Sequence, residues 1–125
     1  MANSVGYHES EDKLRKETQD NHRALTSMME ELEATDWYDQ RIDAADDPEL
    51  KAILAHNRDE EKEHFIMLLE WFRRRDAKMS EELKSRLFRA GSIVAREQEG
   101  KDGESASADG AGSLGIGSLK GAADE

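Results

Sequence analysis

The sequence predicts an all-α protein: two long antiparallel helices, a short C-terminal helix and a flexible tail. Three observations predict it. The chain has nine glycines, yet none between Tyr7 and Ala90, and its one proline is Pro48. On both sides of that proline, apolar residues recur at helical spacing rather than with the period of two that marks a half-buried strand. All seven aromatic residues fall between Tyr7 and Phe88, so residues 1–96 are expected to form the helical domain.

A helix start is predicted at Ser10-Glu11-Asp12, because a hydroxyl caps free N–H groups and acids complement the helix dipole. The first helix is expected to run to about Tyr38, with Leu14, Leu25, Met28, Met29 and Leu32 in one stripe. Asp47-Pro48-Glu49 opens the second, with Asp47 as N-cap and Pro48 where a missing N–H costs nothing. It should end near Arg73-Arg74-Arg75, whose charges suit a helix C-terminus. A third helix is expected from about Ala77 to Ala90, on the four-residue spacing of Met79, Leu83 and Leu87, and stopped by Gly91. At ~1.5 Å per residue the long helices reach about 40 Å each. Two such helices cannot enclose a full core, so dimerisation is expected to complete a four-helix bundle.

The 125 residues carry 18 Lys and Arg against 29 Asp and Glu, a formal net charge of −11. This balance opposes binding to a phosphate backbone, so no nucleic acid partner is expected. The longest apolar run, Phe65-Ile66-Met67-Leu68-Leu69, falls far short of the roughly 18 residues of a membrane span, so no membrane partner is expected either. The acidic N-terminus, with Glu9 and no apolar stretch, does not resemble a secretory signal, and a cytoplasmic location is expected. There is no cysteine. Any bound metal must therefore rely on carboxylates and imidazoles.

Along the second helix, Leu50, Leu54, Asn57, Glu61, His64, Leu68 and Trp71 follow at alternating steps of four and three, which is a heptad seam. Its middle holds an amide, a carboxylate and an imidazole where apolar side chains would pack better. A buried unpaired carboxylate is expensive. The cost disappears if Glu61 and His64, one turn apart on one face, jointly bind a cation. A further acid from the first helix is then needed, and Glu30, Glu31 and Glu33 supply candidates. Glu31 lies beside Met28, Ala24 and Thr35 at the flank of the apolar stripe and is the best third ligand, whereas Glu30 and Glu33 project with Trp37 from the other side.

In ferritin-like di-iron bundles two helices each contribute a Glu and two others a Glu-x-x-His. This chain holds one copy of each half, so two chains would complete the set. Their four carboxylates would balance two Fe²⁺ ions, leaving little uncompensated buried charge. One difficulty stands: in a simple hairpin whose first helix ends at Tyr38, Glu31 and Glu61 are offset by roughly 9 Å along the axis. A first helix continuing past Tyr38, or a ligand from the partner chain, would remove it.

The residues resemble the encapsulated ferritins. The resemblance lies in Met29-Glu30-Glu31-Leu32-Glu33-Ala34, Asp36-Trp37-Tyr38-Asp39-Gln40-Arg41, Asp47-Pro48-Glu49-Leu50 and the run from Ile53 to His64. It implies a two-helix half-ferritin that dimerises to form a ferroxidase site, with dimers in a ring-like decamer. It implies Glu31, Glu61 and His64 as catalytic di-iron ligands, Glu61 bridging, and Glu30 and Glu33 as an outer metal site on the iron access route near Trp37. Tyr38, His56 and Asn57 are taken as supporting or structural residues, and His8 and His22 as surface residues.

The reaction implied is oxidation of Fe²⁺ to Fe³⁺ by oxygen or peroxide. An open ring has no closed cavity for mineral, so storage must occur elsewhere. The tail supplies the place: after an acidic linker over 97–113, rich in Gly, Ser, Ala and Asp, the segment Leu114-Gly115-Ile116-Gly117-Ser118-Leu119-Lys120 resembles the peptide that docks cargo inside encapsulin shells. Leu114, Ile116 and Leu119 are its apolar anchors, on glycine-permitted backbone. The encapsulin shell is thus an expected partner, with the protein inside a cytoplasmic nanocompartment. Two other readings stay open: a helical scaffold without catalysis, and a di-iron oxidase acting on an organic substrate.

Overall fold

The computed structural model describes residues 6–97. A short 3-10 turn, η1 (Glu11–Lys13), precedes three helices: α1 (Lys16–Ala44), α2 (Pro48–Arg73) and α3 (Ala77–Arg86). A further helical turn begins at residue 93. There is no strand among the described residues. The linker expected over 97–113 lies, beyond residue 97, outside the described residues, as does the whole 114–120 segment.

The chain divides into two compact units, residues 1–72 and 73–125. In the first, α1 and α2 are joined by three residues, 45–47. Asp39 meets Arg58 at 3.0 Å and Glu31 approaches His64 at 3.7 Å. These pairs nest about the turn, as only antiparallel helices allow. Among the described residues Ala24, Met28 and Phe72 are the buried apolar ones, while Leu25, Met29 and Leu32 on α1 and Leu50, Ile53, Ile66 and Met67 on α2 stand exposed.

Several ends differ from expectation, each for a local reason. Ser10 sits at the N-cap of η1 but its side chain makes no capping bond. Leu14 and Arg15 are extended and separate η1 from α1. The Gln19 amide nitrogen donates to the Leu14 carbonyl at 3.2 Å, fixing the break. At its other end α1 continues past Tyr38 to Ala44. The apolar stripe has run out there, but Gln40 donates to Asp36 one turn back at 3.1 Å, and the Arg41 guanidinium lies over Trp37 and Tyr38. Such i, i+4 partners sustain a helix that buries little.

Asp47 caps α2 as expected, its Oδ2 accepting from the Leu50 N–H at 2.8 Å. Arg73 lies in the last turn.

In the second unit Asp76 caps α3, accepting from the Met79 N–H at 2.8 Å. The helix stops at Arg86 rather than Ala90: Leu87 is extended and Phe88 takes a left-handed φ of 58°. The Arg89 guanidinium donates to the Ser85 and Lys84 carbonyls and satisfies acceptors that the lost turn leaves open. Gly91, at φ 91°, turns the loop after the helix rather than ending it.

Candidate metal centre

The extension of α1 removes the axial offset between Glu31 and Glu61. Glu31 lies 13 residues before Ala44 and Glu61 lies 13 residues after Pro48, so a short turn brings the two carboxylates level. His64, one turn beyond Glu61, points along the same edge of the hairpin. One donor atom from each of Glu31, Glu61 and His64 lies within 4.8 Å of the other two. Among the described residues this is the one group of three or more carboxylates and imidazoles so arranged.

The cluster has its own electrostatics. His64 Nδ1 and Glu61 Oε1 are 2.9 Å apart, and the hydrogen bond to Glu61 raises the His64 pKa above its usual 6.5, the Glu31 charge adding to the effect. Burial raises the Glu31 pKa from its usual 4.5, and contact with the Glu61 carboxylate pushes it further, with His64 pulling the other way. A cation between two carboxylates this close would relieve their mutual repulsion. Side-chain exposure is 23% for Glu31, 22% for Glu61 and 48% for His64. The open side falls on the imidazole. Oxygen and imidazole donors suit divalent iron, zinc or manganese, so the residues present fit an iron substrate.

The other predicted residues are not gathered into this cluster. Glu30 and Glu33 are exposed, and Trp37 is exposed with Arg41 at 6.0 Å from its ring. Tyr38 is half-buried, with Arg41 5.4 Å from its ring centroid. His56 pairs with Glu60 at 3.4 Å, and Asn57 is half-buried. His22 is not simply on the surface: it is half-buried, its ring 4.8 Å from Tyr7 and its Nε2 3.5 Å from the Thr26 hydroxyl. Sequence reasoning left out Arg58, which links α2 to Asp39 on α1. Its signal was an arginine three residues before Glu61, within reach of the first helix.

Two long antiparallel helices with a carboxylate from one facing a Glu-x-x-His on the other define a ferritin-like helical protein. Residues 6–90 match the EncFtn-like family model, and the chain belongs to that family. It is 60% identical over 124 residues to the "Encapsulated ferritin-like protein" of Rhodospirillum rubrum, covering 93% of this chain and 89% of that one. It is 44% identical over 97 residues to a "Ferritin-like protein" of Thermotoga maritima, covering 78% and 85% respectively. A crystal structure of a Nitrosomonas europaea protein superposes with a TM-score of 0.68 at 59% identity, over 70% of this chain and 97% of that one. Among the described residues no helix is long and apolar enough to cross a membrane.

Proposed function

We propose that the protein is a ferroxidase that oxidises Fe²⁺ to Fe³⁺ at a di-iron site shared between two chains. The observation that carries the reading is the convergence of Glu31, Glu61 and His64, from both helices, within 4.8 Å. One chain offers three ligating side chains, too few to hold two irons. A second copy supplies the other three. The exposed apolar residues of α1 and α2 support that pairing, since they leave the hairpin half covered.

In the paired site four carboxylates face two Fe²⁺ ions and the imidazoles remain neutral. Glu61, next to both Glu31 and His64, is the carboxylate that would serve both ions. Holding the two substrate ions together lets one oxidant, oxygen or a peroxide, take an electron from each, and the carboxylates favour the ferric product. Iron binding competes with protons at Glu31, whose pKa burial raises, and at His64, whose pKa the hydrogen bond to Glu61 raises. Glu30 and Glu33, exposed beside Trp37, form an outer acidic site on the access route.

Residues 73–97 carry eight Lys and Arg against four Asp and Glu, the reverse of the rest of the chain. This complementarity supports assembly of dimers into a ring. The 114–120 segment delivers the ring to an encapsulin shell, where the ferric product is stored. The relative named as encapsulated supports this, since its match covers 93% of the chain and so extends beyond the helices.

Rapid mixing of the purified protein with Fe²⁺ in aerated buffer tests the reading. Protein-dependent oxidation with oxygen uptake is expected. A scaffold would oxidise nothing above the buffer rate, and that result would overturn the proposal.

A further inference from the structure

We propose that Arg58 is a positioning residue for the metal cluster: through Asp39 it sets the roll of α2 about its own axis, and so the aim of Glu61. The inference rests on the ferroxidase reading of that cluster. Arg58 donates from Nη1 to Asp39 Oδ1 on α1 at 3.0 Å and from Nε to Asp59 Oδ1 at 3.1 Å. Its side chain is 26% exposed, against 55% and 62% for the two carboxylates. The guanidinium is therefore wedged along the hairpin rather than waving in solvent. A planar fork that spans two separate carboxylates is a task for arginine more than lysine.

The wheel geometry gives the pair its leverage. At about 100° per residue, a step of three residues turns a side chain by about 60° to one side. Arg58, Glu61 and His64 are spaced by three, so Arg58 and His64 flank Glu61 on opposite sides. Each flank reaches α1: Arg58 to Asp39 at 3.0 Å, His64 to Glu31 at 3.7 Å. Glu61 thus stands between two ties.

Such ties are needed because packing between the helices is thin. Within one chain the buried apolar residues among those described are Ala24, Met28 and Phe72, so the lone hairpin has little buried packing to hold the roll of α2. The three-residue turn is 13 residues from Glu61, or about 20 Å at ~1.5 Å per residue. A roll of about 30° would swing a carboxylate at the side-chain radius of ~5–6 Å through about 3 Å. Metal ligands must hold their distances to about 0.2 Å. Asp39 and Arg58 lie between the turn and the cluster, where a tie best limits that swing.

The test measures metal binding rather than turnover, on the full chain, by calorimetric titration with Zn²⁺ and by the visible absorption of bound Co²⁺. Arg58→Met and Asp39→Ala should each weaken Zn²⁺ binding about tenfold, the scale typical of lost outer partners of metal ligands. The Co²⁺ spectrum should change in both, with helix content by circular dichroism unchanged. The double variant should be no weaker than either single one, because both remove the same tie. Exchanging the partners, Arg58→Asp with Asp39→Arg, should recover most of the affinity and the spectrum. Should Arg58→Met fail to fold, Asp39→Ala and the exchanged pair carry the test. Wild-type affinity and spectrum in Asp39→Ala, or losses that add in the double variant, would overturn the positioning role and leave the ferroxidase reading intact. A wild-type chain that takes up neither Zn²⁺ nor Co²⁺ would overturn both.

Discussion

Glu61→Gln is the sharpest perturbation of the proposed site, because it keeps the shape of the side chain and removes one charge per chain. The donor atoms of Glu31, Glu61 and His64 lie within 4.8 Å of one another, and an ion seated among them is closer to each. Two unit charges at that separation interact by about 3.5 kcal/mol at an effective dielectric of ~20, and a dication doubles the figure. Solvent reduces it, since Glu61 keeps 22% of its side-chain surface exposed. A loss of about 1.4 kcal/mol is a floor after that discount, and corresponds to a tenfold fall in rate.

The assay is stopped-flow oxidation of Fe²⁺ by the full-length protein and the variant at matched helix content. At least a tenfold lower rate is expected. The same variant makes a second, metal-free statement: without the Glu61 carboxylate as its partner, the His64 imidazole should titrate lower, towards its ordinary value, by NMR. Wild-type oxidation in Glu61→Gln would refute the ligand assignment. An unmoved imidazole would refute the geometry on which it rests.

The remaining predictions concern protons, assembly and the tail. The raised His64 pKa is a stabilising contribution fully present below the unfolded value near 6.5 and lost as pH rises through the folded one. The stability gap between the metal-free wild type and His64→Gln, measured by denaturant titration, should therefore shrink as pH climbs through that window. Zn²⁺ affinity should rise over the same window, with proton release on binding. Because each chain carries half of the proposed site, Zn²⁺ should shift dilute protein towards larger species in size-exclusion chromatography, and a distribution indifferent to metal at every dilution would count against a shared site. Deleting residues 113–125 should leave helix content and oxidation rate nearly intact while abolishing co-purification with a co-expressed encapsulin shell. Encapsulation of the truncated protein at the full-length level would move the docking function elsewhere.

Much of the fold was legible because it rests on local chemistry. Asp47-Pro48 marks a helix start in any context, and the structure caps α2 there. The heptad interruption at Glu61 and His64 was legible for a different reason: polar residues on a packing face require a partner, and Glu31 was the acid on the matching flank. The end of α1 was not legible. Between Tyr38 and Ala44 the helix buries little and is sustained by side-chain partners such as Gln40 with Asp36 and Arg41 with Tyr38, which hydrophobic periodicity does not register. The early end of α3 was hidden likewise, because it depends on Phe88 adopting a left-handed φ that a bulky residue rarely takes. Arg58 escaped notice because its importance lies in reaching another helix, and sequence spacing reports only neighbours on the same one.

A proposed site divided between two half-bundles has a consequence for when its chemistry can occur. In the single chain Leu25, Met29 and Leu32 on α1, with Leu50, Ile53, Ile66 and Met67 on α2, remain exposed. Covering a side chain of this size contributes about 1.5–3 kcal/mol, so pairing of such faces in the proposed dimer would help to hold the hairpin in shape. The proposed ligands lie on the same hairpin and need the same second copy. In the single chain the pKa values of Glu31 and His64 are both raised, so a metal entering the cluster competes with protons there. Bringing two such sites together crowds four carboxylates, which two divalent ions compensate better than protons near neutral pH. On the proposed reading, assembly would therefore favour uptake of Fe²⁺ in pairs. Oxidation would then belong to the assembled protein, where both electrons of a two-electron step are at hand.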